Sequence, residues 1–471
     1  MEGDILTNQQ NGTPITRRTW LRLAAAGSGA AALNARSAPR RPNIVLINAD
    51  DLGYGDLGCF GNTVIQTPNI DRLAAEGVRF TDFVVSWPAC TPSRSGLLTG
   101  RYPQRNGLYD MIRNNEVDSG FQFDEETYAV SPEMALGLDL REITIGQAMK
   151  QAGYATGLAG KWDSGRARRF LPLQRGFDSF YGFANTGIDY YTHERYGVPS
   201  MFRGNQRVKE QGHATDLFRR EAVRFIADHR SQPFFFYFAP NAPHAASTFD
   251  KAASQAPEEY LRMYSSSPND RKAQYAALVT HLDAAVGALL DELRRHGLEE
   301  NTLVIFTSDN GGSGPGHNGP LRGAKAQMFE GGIRVPVIAR WPGRIPKGTV
   351  SKEFASTLEF FPTFLAAAGA SPPPGVILDG FNLLPVLEGK AKSSRKEFFW
   401  QRRGDKAARV DQWKWVESQK GGGLFDLASD LGEKTDLSAS RPDVLRQVKA
   451  RWAAWRKEMN QCEPRGPFRD Y

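Results

Sequence analysis

With 471 residues, 40 % of them hydrophobic and 24 % charged, the chain has the composition of a globular protein, long enough for one large domain and a lesser companion. A formal charge of +7 is spread without a lysine or arginine block, which argues against a nucleic-acid-binding arm and suits anionic small molecules or polyanionic glycans. Cys59, Cys90 and Cys462 are too few and too widely spaced for a disulfide framework or a C-x-x-C zinc site, and no apolar run of about 18 residues beyond the N-terminal region marks an integral membrane span.

In chain order, Thr16-Arg17-Arg18-Thr19-Trp20-Leu21-Arg22 precedes an alanine-rich, mildly apolar run to Leu33. Paired arginines before such a run read as a twin-arginine export signal, so residues 1–38 are expected to be an address and a disordered tail on a periplasmic or extracellular protein. Asn43 to Asn48 is continuous and β-branched, as a strand buried on both faces should be, and runs into Ala49-Asp50-Asp51. Helical patterns cover Asn69 to Glu76, Ile143 to Ala152, Thr215 to His229 and Arg271 to His296. Between them, Tyr154 to Ala159 ends in Gly160-Lys161, Phe234 to Ala239 ends in a loop carrying His244, and Thr302 to Thr307 ends in Ser308-Asp309-Asn310-Gly311-Gly312.

Strands alternating with helices predict an α/β fold: a large, mostly parallel sheet sandwiched by helices, with ligands beyond the carboxyl ends of the strands. Asp50, Asp51, Lys161, His244, Asp309 and Asn310 all fall at that edge. The texture changes near Ser371-Pro372-Pro373-Pro374-Gly375 and again after Gly389. Beyond it, Phe398–Gln401, Ala408–Val410, Trp413–Glu417 and Leu424–Leu427 read as a small antiparallel sheet, and Arg441 to Asn460 as an amphipathic helix with Leu445, Val448, Trp452 and Trp455 on one face. The expected division is 39–390 for the main domain and 391–471 for a C-terminal subdomain.

Asp50, Asp51, Asp309 and Asn310 are hard oxygen donors of the kind that hold Ca²⁺ or Mg²⁺ rather than zinc. Helix capping is the ordinary alternative for such residues after strands, yet two adjacent carboxylates closing a buried strand repel unless a cation lies between them. Cys90, in Cys90-Thr91-Pro92-Ser93-Arg94, fits ordinary nucleophiles poorly: a phosphatase loop wants an arginine six residues on, where Gly96 stands, and Ser93 and Ser95 lack the glycines of a G-x-S-x-G elbow.

The run Cys90-Thr91-Pro92-Ser93-Arg94-Ser95-Gly96-Leu97-Leu98-Thr99-Gly100-Arg101 resembles the signature of the formylglycine-dependent sulfatases of the alkaline phosphatase superfamily. The resemblance continues through Ala49-Asp50-Asp51-Leu52-Gly53-Tyr54-Gly55-Asp56, Gly160-Lys161-Trp162, Ser308-Asp309-Asn310-Gly311, Leu321-Arg322-Gly323-Ala324-Lys325 and Glu330-Gly331-Gly332-Ile333-Arg334. It implies an alkaline-phosphatase-like fold and a sulfuric ester hydrolase. It further implies that a formylglycine-generating enzyme oxidises Cys90, and that Asp50, Asp51, Asp309, Asn310 and residue 90 bind one divalent ion, usually calcium. Arg94 would steady the modified residue, Lys161 and Lys325 would neutralise the sulfate, and His244 would protonate the leaving alcohol of a sulfated carbohydrate. A phosphonate monoester or phosphodiester hydrolase, or an inactive glycan-binding relative, are the competing readings.

One position departs from the family pattern. Where Gly-Lys-Trp-His is usual, this chain has Gly160-Lys161-Trp162-Asp163. A carboxylate there repels an anionic substrate unless it is protonated, pairs with Arg166 or Arg168, or meets a cationic group. Tyr190, Tyr191, His193, Arg195 and Tyr196 form an aromatic and basic cluster that suits either stacking on sugar rings or packing under a long loop.

Overall fold

The structure, a computed structural model, describes residues 41–112, 137–195, 197–246 and 254–462, so the expected export signal and Tyr196 lie outside the described residues. The main sheet draws ten strands from the chain: β1 (Asn43–Ala49), β2 (Val78–Phe80), β3 (Ala155–Lys161), β4 (Ser179–Phe183), β5 (Met201–Arg203), β6 (Gln206–Arg207), β7 (Phe234–Ala239), β8 (Thr302–Ser308), β9 (Val337–Arg340) and β10 (Thr349–Ser351). Their spatial order is β10-β2-β9-β8-β1-β7-β3-β4-β5-β6. The five central strands, β8 to β4, are parallel as expected, while β9 and β5 pair antiparallel with them and make the whole sheet mixed.

β1 shows why the sheet is covered on both faces. Successive side chains point to opposite sides, and Val45 and Ile47 join a different apolar cluster from Ile44 and Leu46. The Val45 side packs on α1 (Pro68–Ala75), α4 (Ala214–Asp228) and α5 (Arg271–Arg295); the Ile44 side packs on α2 (Cys90–Thr99), α3 (Ile145–Gln151) and α7 (Phe360–Ala367), with the short α6 (Glu330–Ile333) at the same face. Each fully buried aliphatic side chain of this kind contributes about 1.5–3 kcal/mol. Capping fixes the starts of two of these helices: Asp270 accepts from Lys272 N and Ala273 N ahead of α5, and Thr144 and Gln147 form a capping box on α3. Among the described residues α5 is long and apolar enough to cross a membrane, but 83 % of its apolar window is buried inside the protein, and it is a core helix.

The C-terminal sheet is an antiparallel meander of β11 (Glu397–Arg402), β12 (Asp405–Val410), β13 (Trp413–Ser418) and β14 (Gly421–Asp426). β14 begins three residues earlier than the sequence pattern indicates, because Gly421, Gly422 and Gly423 carry no strand signal of their own and are drawn into the ladder opposite Ser418, Glu417 and Val416. α8 (Pro442–Gln461) lays Val448 and Trp455 into the same core cluster as Phe83 and Phe360, with Leu445 and Trp452 packed against it. Trp455 stacks on Phe399 at 5.6 Å and meets Tyr102 edge-on at 5.3 Å. The two sheets therefore share one apolar interior.

Candidate active site

Parallel pairing in register brings four strand ends to one edge. Ala49 lies opposite Ser308 and Ala239 opposite Gly160, so the residues that follow each strand emerge together. Asp50 N donates to Ala242 O at 3.2 Å, which draws the loop bearing His244 over the end of β1. Gly160 has φ +114°, and a Cβ there would sit 1.9 Å from Ala239 O; only glycine lets β3 run this close to β7 and deliver Lys161 into the cluster.

Within that edge the buried charges interlock. Lys161 Nζ lies 3.0 and 2.9 Å from the two oxygens of Asp50, and Lys325 Nζ lies 2.7 and 2.8 Å from those of Asp51. Lys325 Nζ also reaches Cys90 Sγ at 3.2 Å, and Cys90 Sγ is 3.5 Å from Asp50 Oδ1 and 3.7 Å from Asp51 Oδ1. Cys90 opens α2, a fully buried helix whose amino end favours negative charge on the residue or beside it. Burial pushes the thiol well up, so it is a protonated, poor nucleophile as it stands. Arg94, one turn along α2, donates from Nε to Asp309 Oδ2 at 2.8 Å and from Nη1 to Tyr237 Oη at 3.2 Å, while Asp309 Oδ1 accepts from Asp51 N at 3.1 Å. Burial raises Asp309 to about 6 despite Arg94. His244 Nε2 faces Asp51 Oδ2 at 3.7 Å, and burial holds its imidazole down to about 4.

A family model described as Sulfatase matches residues 42–370. The chain belongs to the sulfatase family. A second model, N-sulphoglucosamine sulphohydrolase, C-terminal, matches residues 324–437. This sulfatase is 36 % identical over 433 residues to the N-acetylgalactosamine-6-sulfatase of Canis lupus familiaris, a match spanning 85 % of this chain and 76 % of that protein. It is 36 % identical over 448 residues to human arylsulfatase A, spanning 86 % and 81 % of the two chains. Among solved structures, Ps i-CgsB superposes with a TM-score of 0.78 at 33 % identity, covering 88 % of this chain and 93 % of that one.

Sulfatases carry a divalent ion, and the donors here fit one. Asp50, Asp51, Cys90 and His244 bring ligand atoms within 4.8 Å of one another. Asn310 Nδ2 donates to Asp51 Oδ1 at 2.8 Å, and Asn310 Oδ1 is a buried acceptor with no hydrogen-bond partner. Four carboxylates, of Asp50, Asp51, Asp163 and Asp309, face three permanent cations, Lys161, Arg94 and Lys325, all buried except the half-buried Lys325. A hard dication would use the orphaned amide oxygen and turn the excess negative charge into a positive one suited to a sulfate monoester.

Asp163 does not pair with Arg166 or Arg168. Its Oδ1 accepts from Thr91 Oγ1 at 2.8 Å, and its Oδ2, 3.6 Å from Lys161 Nζ, has no hydrogen-bond partner. The backbone turns through φ +51° at this residue, a conformation aspartate tolerates better than most, and that turn aims the side chain inward, away from exposed Arg168. Burial raises its carboxyl against the pull of Lys161 and Arg94, so of the ways a carboxylate could be accommodated here the structure supplies nearby cationic groups.

The tyrosine cluster divides. Tyr190 is 0 % exposed, stacks on His213 at 4.8 Å and donates to His244 O at 2.8 Å, so it supports the loop bearing His244 from beneath, whereas Tyr191 is 49 % exposed. His213, Asp216 and His281 also bring ligand atoms together, but both nitrogens of His213 are engaged, with Gln255 O at 3.0 Å and Thr215 N at 3.3 Å, and His281 Nε2 meets Asp216 Oδ1 at 2.9 Å, a hydrogen-bonded stack under Tyr190. Sequence reasoning gave no role to Thr91, Tyr237 or Ser313, whose Oγ donates to Asp51 Oδ2 at 2.9 Å, and of the two readings of Tyr190 the structure bears out packing. Tyr237 alone carried a signal: it is the one polar side chain in Phe234-Phe235-Phe236-Tyr237-Phe238.

Proposed function

We propose that this sulfatase removes sulfate from a sulfated carbohydrate, with Cys90 converted to formylglycine and one divalent ion, calcium before magnesium, held by Asp50, Asp51, Asp309, Asn310 and residue 90. Lys325 carries the reading: a single ammonium group touches Cys90 Sγ at 3.2 Å and Asp51 at 2.7 Å, joining the nucleophile's position to the metal carboxylates. The bound ion would favour deprotonation of a hydroxyl beside it and polarise a sulfate oxygen. The hydrated aldehyde offers two hydroxyls on one carbon, so that one attacks sulfur and the other, losing its proton, expels sulfate and restores the aldehyde.

The chain's own residues do the rest. With Asp50 and Asp51 engaged by an ion, Lys161 and Lys325 would be available to neutralise the sulfate oxygens, a preorganised charge of the kind that usually contributes most to such a transition state. Arg94 holds Asp309 with two nitrogens, Nε at 2.8 Å and Nη2 at 2.7 Å, and keeps that carboxylate from swinging toward the substrate. His244, its ring fixed by Nδ1 against Ala245 O at 2.7 Å, would carry the proton to the leaving oxygen from Nε2. Asp163, holding Thr91, orients the residue after Cys90.

The substrate class follows the relatives: one is named for N-acetylgalactosamine-6-sulfate chemistry, and Ps i-CgsB was solved with k-i-k-neocarrahexaose. Export through the twin-arginine route, after folding and modification at Cys90, is part of the same proposal and rests on Arg17-Arg18. The test is protein co-expressed with a formylglycine-generating enzyme. Peptide mass spectrometry should show thiol-to-aldehyde conversion at Cys90, and sulfate should be released from N-acetylgalactosamine 6-sulfate or carrageenan oligosaccharides. An unmodified thiol in active protein would refute the mechanism, and higher kcat/KM on a matched aryl phosphodiester would refute the substrate class.

A further inference from the structure

Lys414 lies on β13, in the small C-terminal sheet, and its side chain is wholly buried. Its Nζ is 2.8 Å from Glu330 Oε1 and 2.8 Å from Glu433 Oε1, both equally buried. Glu433 Oε2 in turn accepts from Glu330 N at 2.7 Å, so the lysine and one glutamate together grip both the side chain and the backbone at the first residue of α6. A buried ion triad is seldom better for stability than well-packed apolar groups of the same volume, so its presence asks what must be held in place.

What rests on α6 is the active-site backbone. Gly311 N donates to Gly332 O at 3.1 Å and Gly331 N to Arg322 O at 2.7 Å. A Cβ on Gly311 would lie 1.8 Å from Gly331 O, so the segment that follows Asp309 and Asn310 presses directly on α6. Lys325 is tied to the same surface, its N donating to Gly312 O at 3.2 Å, and the neighbouring Ala326 N donates to Pro88 O at 2.7 Å, just ahead of Cys90. Arg322 closes the frame, donating to Glu433 O at 2.9 Å.

We propose that Lys414 is a positioning residue of the active site: through Glu330 and Glu433 it fixes α6, and α6 fixes the two backbone segments that carry Asn310 and Lys325. The C-terminal sheet is thereby the seat of the sulfate-binding lysine. This rests on the roles given above to Asn310 and Lys325.

The test compares Lys414→Met, Lys414→Arg, Glu433→Gln, Lys325→Ala and Trp455→Ala in calcium-loaded, formylglycine-bearing protein, assayed below the melting temperature of each. Lys414→Met should lower kcat/KM for an aryl sulfate by about 10²-fold, the scale of a displacement of about 1 Å in a catalytic group. It should also lower the EDTA concentration needed to strip calcium; Lys414→Arg should restore most of both. Trp455→Ala, which weakens the same subdomain from its far side, should lower the melting temperature and leave kcat, KM and calcium retention unchanged. If Lys414→Met does not fold, the isosteric Glu433→Gln reports the same effect in smaller measure. A folded Lys414→Met or Glu433→Gln protein with kcat, KM and EDTA midpoint within about threefold of the parent, while Lys325→Ala is crippled, overturns the proposal. An unaffected Lys325→Ala would instead overturn the reading of the site.

Discussion

Two regions of this sulfatase bury charge to the same depth with opposite bookkeeping. At the junction with the C-terminal sheet, Glu330, Glu433 and Asp82 meet Lys414, Arg334 and Arg409, three against three; Arg334 lies 2.5 Å from Glu330, and Arg409 holds Asp82 with two nitrogens. At the strand edge, four carboxylates meet three permanent cations, and Asn310 Oδ1 and Asp163 Oδ2 are left without hydrogen-bond partners. Burying charge is costly unless it is paired. A balanced set therefore marks scaffold, and a set with excess charge of one sign marks a place built for something that arrives later. The difference separates two regions that composition and burial alone would class together.

The largest effects should come from the unbalanced region and fall on activity. Cys90→Ala should reduce sulfate release to the uncatalysed background while leaving the fold intact, measured by turnover and thermal melting. Lys325→Ala and Lys161→Ala should each lower kcat by about 10²–10³-fold, as loss of a preorganised charge does. These two should also show a stability signature: without its lysine, Asp51 or Asp50 is a buried carboxylate lacking its partner, so melting in EDTA should fall further than melting in calcium. Equal losses in both would mean that no cation takes over the carboxylates. Asp309→Ala should abolish calcium retention together with activity; full activity in chelator would break the comparison outright.

In the balanced region the loss should be of stability. Arg409→Met leaves Asp82 facing Arg334 alone, and breaking a buried pair costs about 3–5 kcal/mol, discounted here because Asp82 is 16 % exposed. Urea unfolding should shift accordingly while kcat stays at the parent value, since Arg334 still holds both Asp82 and Glu330 when Arg409 is gone.

How much of this could be read without the structure depended on whether the signal was local. The central strands were legible because Asn43 to Asn48 and Thr302 to Thr307 are continuous β-branched runs ending in aspartates, and parallel pairing then forces those ends together. β9 and β5 pair antiparallel through returns that carry no periodicity, and β14 starts on three glycines, so neither the mixed flanks nor that boundary could be read. At the site, the motif residues Cys90, Arg94, Lys161 and Lys325 announced themselves by spacing and flanking glycines. Thr91 and Ser313 act through single contacts made by chain segments far apart in sequence, and nothing in a linear pattern marks a lone hydroxyl for such a task. Lys414 was hidden for a related reason: in Trp413-Lys414-Trp415-Val416 it looks like an alternating solvent-facing residue, and only the docking of β13 on α6 turns that face inward.

The smallest expected effect tests the comparison most finely, because Asp163 sits in the unbalanced region but is bonded like scaffold. Its Oδ1 is anchored by Thr91 at 2.8 Å while its Oδ2 faces Lys161 at 3.6 Å, a distance too long for a hydrogen bond. If it serves only to hold Thr91, Asp163→Asn keeps that acceptor and removes the charge, so KM should fall modestly and kcat should hold within about threefold. Asp163→His would insert a bulkier ring beside Lys161 and should change kcat by no more than about tenfold, upward if the carboxylate is only a handicap. A collapse of kcat in Asp163→Asn with an unchanged melting temperature would place the second carboxyl oxygen among the groups that handle the proton, and would move Asp163 from anchor to catalyst.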